Sequence, residues 1–494
     1  MFGITEKKPQ EERLGDPLDQ VLLGFSGQDV FTIRDACEGI QIFGGIGSGK
    51  TSGSGAFVAR SFLQAGFGGV VLTAKPDEPD LWRRYAKETG RLDDLVYFGP
   101  SHLMRFNALD YECKRPGVGG GITENLVGLF DTLVQVAKGG NSGQGGGGEN
   151  EAFWRNEQRK LVRNAIDGLR LAGIPISFQT IYRFIITAAT EPSQLKNEEW
   201  RRGSFCFKVM RRASRRAQAK RFTSGDRNDC KICSDFWTRE FPNQAERTRS
   251  TVVSTFTGMA DVFLRGVLRQ LFNEGSTLSP ECTFAGKIII LDLPQKLFNE
   301  VGVYAQVLFK YCWQRAVERR TITADSLPVF LWADEAQHFV NEHDVNFQTT
   351  ARSSRVCTVF LTQNLPNYLF TLGGNARGRA LVDSLLGNLV TKIFHNNTCA
   401  ATNQYAANLF AQDWQQDRSQ SYAQKEKGFN VSNSVSQKLQ YVVQPREFSG
   451  LMKGGPENDF LVEAIIHQGG KRFNTGGLNA LLTEFRQTSN HHHV

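Results

Sequence analysis

The sequence predicts an α/β protein with a mostly parallel central sheet, interrupted by an all-helical domain, and three observations carry that expectation. A complete phosphate-binding loop, Gly44-Gly45-Ile46-Gly47-Ser48-Gly49-Lys50-Thr51, sits between a strand-like run, Gly39 to Phe43, and a helical pattern through Ala56, Val58, Phe62 and Leu63. Strand-like and helical runs alternate before and after the middle of the chain, the rhythm of parallel strands with crossover helices. From Glu149 to about Phe256 the apolar residues recur at helical spacing alone.

Each residue type in the loop has a chemical reason. Glycines let backbone N–H groups curl around phosphates, and the N-terminus of the following helix faces their negative charge. Lys50 reaches the β/γ-phosphates, Thr51 supplies a hydroxyl ligand for Mg²⁺, and Ser52 continues the nucleotide-binding stretch. The nucleotide expected is ATP with Mg²⁺.

The 494 residues are too many for one ordinary core, so more than one folded unit is expected. A formal charge of +8 and a pI near 9.0 lean toward an acidic partner such as nucleic acid. Nine scattered cysteines do not read as a disulfide framework, and no signal peptide precedes them, which points to the cytoplasm. No apolar run approaches the roughly 20 residues that cross a bilayer.

Taken in order, residues 1–38 are a polar lead-in with one short hairpin, Val21 to Gly24 against Val30 to Ile33. Residues 39–148 form the first half of the nucleotide-binding domain. After the phosphate loop they offer two more strands, Gly69 to Ala74 and Leu95 to Phe98, and a short helix, Glu124 to Val136, between glycine-dense linkers at 116–121 and 139–148.

Residues 149–256 read as the helical insertion. Arg211/Arg212 and Arg215/Arg216 repeat four apart, and with Lys220 and Arg221 they make a one-sided cationic stripe suited to a phosphate backbone. A solvated face is the alternative. Phe205, Phe207 and Phe222 nearby are either stacking platforms for bases or core. Cys230 and Cys233 have no second ligand pair and do not complete a zinc site.

Residues 257–480 complete the nucleotide-binding domain. After a helix from Ser254 to Phe272, a strand from Lys287 to Asp292 and a helix from Tyr304 to Arg319, the run Val329 to Ala333 reads as a buried strand delivering Asp334 and Glu335 at its C-terminal end. Opposite a phosphate loop, Asp334 holds Mg²⁺ through its water shell and Glu335 polarises the attacking water. The next strand, Val356 to Leu361, ends at Gln363, an amide placed to sense the γ-phosphate, and Arg352 and Arg355 precede it, either of them able to reach a neighbouring subunit's nucleotide. Residues 413–440, rich in Gln, Ser and Asn, read as a mobile solvated excursion, the strand Asp459 to Ile466 as the last of the sheet, and residues 481–494, with His491 to His493, as a flexible tail.

This combination resembles the ring-forming translocases of the FtsK-HerA class and, within it, the conjugative coupling proteins of the TraG/TraD type IV secretion family. Lys75-Pro76-Asp77, Phe106 to Leu109, Phe394 to Asn397 and Gln444 to Leu451 extend the similarity over about residues 39–475. The resemblance implies a RecA-like P-loop motor, a hexameric homo-oligomer pumping single-stranded or duplex DNA, with Arg352 as the trans-acting arginine and Gln363 as the sensor. It also implies a relaxase or relaxosome and a separate membrane or secretion-channel protein as partners. The family's N-terminal transmembrane helices have no counterpart here, so the expectation is a cytoplasmic protein that either docks at the inner membrane through such a partner or works away from the membrane altogether. An ATPase that moves protein, and a nucleotide-dependent scaffold, are the competing readings.

Overall fold

The computed structural model of the protein describes residues 16–138, 149–219, 222–425 and 428–487. Lys220, Arg221, the 139–148 glycine stretch and His491 to His493 lie outside the described residues.

The strands, in chain order, are β1 (Val21–Gly24), β2 (Val30–Thr32), β3 (Ile40–Phe43), β4 (Gly68–Leu72), β5 (Leu95–Phe98), β6 (Ile288–Leu291) and β7 (Val329–Ala333). They continue with β8 (Val356–Thr362), β9 (Thr391–Phe394), β10 (Gln412–Lys425), β11 (Gly428–Tyr441), β12 (Leu461–Gln468) and β13 (Ala480–Arg486). Nine of them form one sheet in the order β13-β12-β9-β3-β8-β7-β4-β6-β5. The seven from β9 to β5 are parallel, while β12 and β13 close one edge antiparallel. The α/β expectation with a mostly parallel sheet is therefore met.

Burial explains the near-continuous apolar strands. Ile40 and Ile42 of β3, and Ile288 and Ile290 of β6, feed one layer, while Phe43, Ile289 and Leu291 feed the other. Both faces are covered, as parallel sheets require. The helices between β5 and β6 pack onto the second layer: Phe130, Ile166, Phe256 and Phe263 share a core with Leu291 and Phe309. In that helical region, Glu246–Leu264 and Gly266–Phe272 meet at 84°, where the sequence suggests one helix from Ser254. Gly266 breaks it with φ 48°. Among the described residues no single helix is long and apolar enough to cross a membrane.

Three sequence expectations need correction. Gln412–Lys425 and Gly428–Tyr441 form a long antiparallel ribbon, β10 against β11, paired from Gln412↔Tyr441 to Lys425↔Gly428. Its many Gln, Ser and Asn residues hid the alternation that β11 carries at Phe429, Val431, Val435, Leu439 and Tyr441. The segment Ala480–Arg486 is not a tail but strand β13, paired with β12 from Leu461↔Arg486 to His467↔Ala480. Leu481 and Phe485 face the core there. The 116–121 glycines are a shaped turn, since Arg115 donates to the carbonyls of Val118 and Gly119 at 3.3 and 2.8 Å.

The β4 end is pinned from behind. Gln306 accepts from the Thr73 N–H at 2.6 Å and donates to the carbonyls of Thr73 (2.9 Å) and Leu293 (2.8 Å). The segment after β7 is anchored by the fully buried pair of Lys310 and Asp344, 2.5 Å apart, with Lys310 also donating to the Phe339 carbonyl at 2.7 Å.

Candidate nucleotide site

The loop after β3 is slung between the ends of its two neighbours. Gly44 donates to the Thr362 carbonyl (3.3 Å) at the β8 end, and Gly45 to the Asn396 carbonyl (2.8 Å) beyond β9. Gly49 must be glycine: its φ is 80°, and a Cβ there would lie 2.4 Å from Val462. A Cβ on Gly44 would meet Ser48 Oγ at 2.3 Å. The helix that follows opens with a wide turn in which Gly55 donates to the Lys50 carbonyl at 2.9 Å, five residues back, a feature common at functional sites. Ile46 projects into solvent at 83% exposure.

Adjacent strand ends deliver the acidic residues. Asp334 and Glu335 follow β7 and are 2% and 5% exposed. Glu335 adopts φ 50° and ψ 48°, a left-handed conformation costly for a non-glycine residue. Thr51 Oγ1 donates to Asp334 Oδ2 at 2.9 Å, and Lys50 Nζ reaches Glu335 Oε1 at 3.3 Å. Two amides hold the Glu335 carboxylate: Gln337 Nε2 donates to Oε2 at 2.9 Å, and Gln363 Nε2 lies 3.3 Å from Oε1. Thr362 in turn donates to Gln337 Oε1 at 2.8 Å. Burial opposes ionisation of Glu335, but the Lys50 charge, the Gln337 and Gln363 amides and the Lys75 charge outweigh it and hold the carboxyl at about 2.

The sequence motifs thus meet in space: Lys50, Thr51, Asp334, Glu335 and Gln363 form one cluster. Sequence reasoning gave no chemical part to Lys75, Gln337 or His395. Lys75, just past β4, places Nζ 2.9 Å from Asp334 Oδ2 and 3.8 Å from Glu335 Oε1. No spacing rule predicts that contact, which depends on β4 lying beside β7.

His395 lies beneath the loop, fully buried. Its Nε2 is 2.7 Å from Ser54 Oγ and its Nδ1 2.9 Å from the Glu463 carbonyl, so Nδ1 donates and Nε2 accepts from Ser54. Burial lowers its pKa to about 4. The neutral ring of the folded state therefore contributes stability that is present above about pH 6.5 and is lost as pH falls toward 4. Denaturant unfolding of the wild type at pH 7 and pH 4.5 is expected to show a His395-dependent loss of about 2–3 kcal/mol. His395→Gln, destabilised at pH 7, should lack that increment.

On the far side of the loop from Asp334, Gln487 Nε2 donates to Ser52 Oγ at 2.9 Å and Gln487 Oε1 accepts from the Gly455 N–H at 2.9 Å.

The two arginines before β8 are placed differently. Arg355 donates to the carbonyls of Ala324 and Ser326 within its own chain. The Arg352 side chain is 62% exposed, paired with Glu38 at 3.1 Å. Both lie at the N-terminal end of β8, about 20 Å along a seven-residue strand from the loop at the opposite edge.

In the helix Phe205–Ala217, Arg211, Arg212 and Arg215 are exposed. Arg216 is turned inward, donating to the Leu171 carbonyl at 3.1 Å and covering the Phe222 ring. The faces of Phe205 and Phe207 carry Arg183 and Arg201. One face of each of those three rings is therefore already occupied by a guanidinium.

The donor set suits a magnesium nucleotide. Thr51 Oγ1 and the Asp334 carboxylate are hard oxygen donors of the kind Mg²⁺ takes. Ser48 Oγ is buried inside the loop without a hydrogen-bond partner, and glycines leave the loop backbone open to close approach.

No protein-family model and no curated protein sequence matches the chain. Solved structures do. The unbound bacterial conjugative coupling protein TrwB, in a form named TrwBdeltaN70, superposes with a TM-score of 0.60 at 12% identity, over 97% of this chain and 89% of that one. TrwB with a non-hydrolysable ATP analogue gives 0.57 at 13% identity, and TrwB with ADP and Mg²⁺ gives 0.58 at 12%, each over 97% of this chain and 92% of the other. The chain shares the RecA-like P-loop fold of these structures.

Proposed function

We propose that the chain is an ATPase of the conjugative coupling type, which hydrolyses ATP at the subunit interfaces of a hexameric ring and moves DNA. The observation that carries this reading is the convergence of Lys50, Thr51, Asp334, Glu335 and Gln363 at one end of the sheet. Binding of non-hydrolysable ATP and GTP analogues and of ADP with Mg²⁺ by TrwB, a protein of the same fold, supports a magnesium nucleotide as the ligand.

Thr51 and Asp334 would hold Mg²⁺, which when bound neutralises charge on the β- and γ-phosphates. The remaining steps belong to the chain. Phosphate oxygens draw Lys50 Nζ away from Glu335, and without that cation Glu335 becomes a better base. Gln337 and Gln363 keep its carboxylate aimed while it orients a water and takes its proton. The water oxygen bonds to Pγ as the bond to the bridging oxygen breaks, leaving ADP and phosphate. Arg352, exposed and about 20 Å from its own loop, serves a neighbouring subunit's nucleotide. Arg355 is committed to carbonyls of its own chain.

The DNA limb of the reading rests on Arg211, Arg212 and Arg215. Reversing these three to glutamate should weaken DNA binding and reduce the salt slope of log K by about one per arginine. Fluorescence anisotropy with a labelled oligonucleotide across a salt series reads both. Unchanged affinity and slope would return the stripe to a solvated face. Arg216 is left intact because it holds the helix to Leu171.

A further inference from the structure

We infer that Lys75 is the stand-in for the metal ion: its ammonium holds the Asp334 carboxylate in the nucleotide-free protein and is displaced when Mg²⁺ arrives with the nucleotide. The inference rests on the nucleotide reading above and assigns a part that no motif gave.

Three features carry it. First, Lys75 Nζ and Thr51 Oγ1 converge on the same oxygen, Asp334 Oδ2, each at 2.9 Å. A metal held by Thr51 and Asp334, directly or through its water shell, would compete with the ammonium for that oxygen. Second, each of the two carboxylates that the loop faces, at most 5% exposed, has an ammonium partner without a metal: Lys75 on Asp334 and Lys50 on Glu335. Buried carboxylates left unpaired would be costly, so a built-in cation keeps the site folded between turnovers. Adding a divalent ion with Lys75 in place would crowd like charges around one carboxylate.

Third, a second acceptor lies alongside. Glu78 is 4% exposed; its Oε2 accepts from the Ala74 N–H at 2.7 Å, whereas its Oε1 is buried without a hydrogen-bond partner. A cavity of about 10 Å³ is lined by Thr51, Glu78, Tyr85 and Asp334 among others, and the Tyr85 hydroxyl is also unpartnered. It is about the size of one water, and Leu81, Trp82 and Trp332 supply the apolar part of its wall. Lys75 sits three residues before Glu78, on backbone that Gln306 fixes at Thr73. The exchange therefore asks for a rotation of the Lys75 side chain that carries Nζ from Asp334 to Glu78.

The test is equilibrium binding of a fluorescent ADP analogue to the full chain across a Mg²⁺ titration, with EDTA as the zero point. Lys75→Met should lower the half-saturating Mg²⁺ concentration by about tenfold, because the metal no longer competes with the ammonium. Lys75→Arg should stay near the wild type. An unchanged midpoint in Lys75→Met, with ADP still bound, would overturn the exchange and leave the nucleotide reading standing. Failure of the wild type to bind ADP with or without Mg²⁺ would remove both.

A crystal structure of the wild type with ADP and Mg²⁺ decides the point even if Lys75→Met does not fold. The exchange expects Nζ displaced from Asp334 toward Glu78 Oε1. An ammonium still on Asp334 Oδ2 beside the bound metal would refute it.

Discussion

Lys50→Ala is expected to reduce ATP turnover by at least about a thousandfold, equivalent to roughly 4 kcal/mol of transition-state stabilisation. The side chain is 8% exposed and its ammonium reaches the carboxylate of Glu335, so it is already aimed at the face where a γ-phosphate would lie. Its removal deletes the cation that follows charge onto the departing phosphoryl group. The fold should survive, because Lys75 and the amides of Gln337 and Gln363 still face Glu335. Turnover close to the parental rate in a folded Lys50→Ala protein would place the chemistry elsewhere.

Glu335→Gln should keep nucleotide binding and lose hydrolysis by about a hundredfold to ten-thousandfold, the range for a positioned acid–base group. Glutamine is nearly isosteric and can hydrogen-bond Gln337 and Gln363, so the lesion is chemical and not structural. The variant also tests which subunit supplies the arginine. Arg352→Ala and Glu335→Gln should each be inactive alone. Mixed, they form some interfaces that join an intact Glu335 to an intact Arg352, and part of the activity should return. An Arg352→Ala protein as active as its parent would remove that residue from the reaction.

What could be read from the chain without coordinates follows from how local each feature is. The phosphate loop, and the Asp-Glu pair at the end of a buried strand, are contiguous motifs, so Gly44 to Thr51 and Asp334-Glu335 were legible as residues. Gln363 was legible because the end of β8 could be placed from the run Val356 to Leu361. Lys75, by contrast, reaches Asp334 across 259 residues of chain, through the adjacency of β4 and β7. His395 similarly reaches Ser54 across 341 residues. Strand order sets such contacts, and periodicity does not report strand order.

The fold shows the same division. Strands buried on both faces stood out as apolar runs. The β10–β11 ribbon did not, since Asn433, Gln437 and the surrounding Gln, Ser and Asn residues interrupt the alternation of Phe429, Val431, Val435, Leu439 and Tyr441 along β11. Strand β13 was overlooked because Thr483, Glu484 and Arg486 dilute an alternation that only pairing with β12 explains. The arginine stripe was visible by spacing, yet the inward turn of Arg216 depends on Leu171, which spacing cannot locate.

Steady-state ATP hydrolysis at low salt, compared without polymer, with single-stranded DNA and with duplex DNA, bears most directly on the proposed function. Lys50→Ala serves as the blank, and oligomeric state is measured in the same samples. Severalfold stimulation by one of the DNA forms is the expected result, and the more effective form identifies the strand state that the motor grips. A rate unchanged by either DNA, in samples shown to be oligomeric, would contradict DNA translocation and favour an ATPase that moves protein.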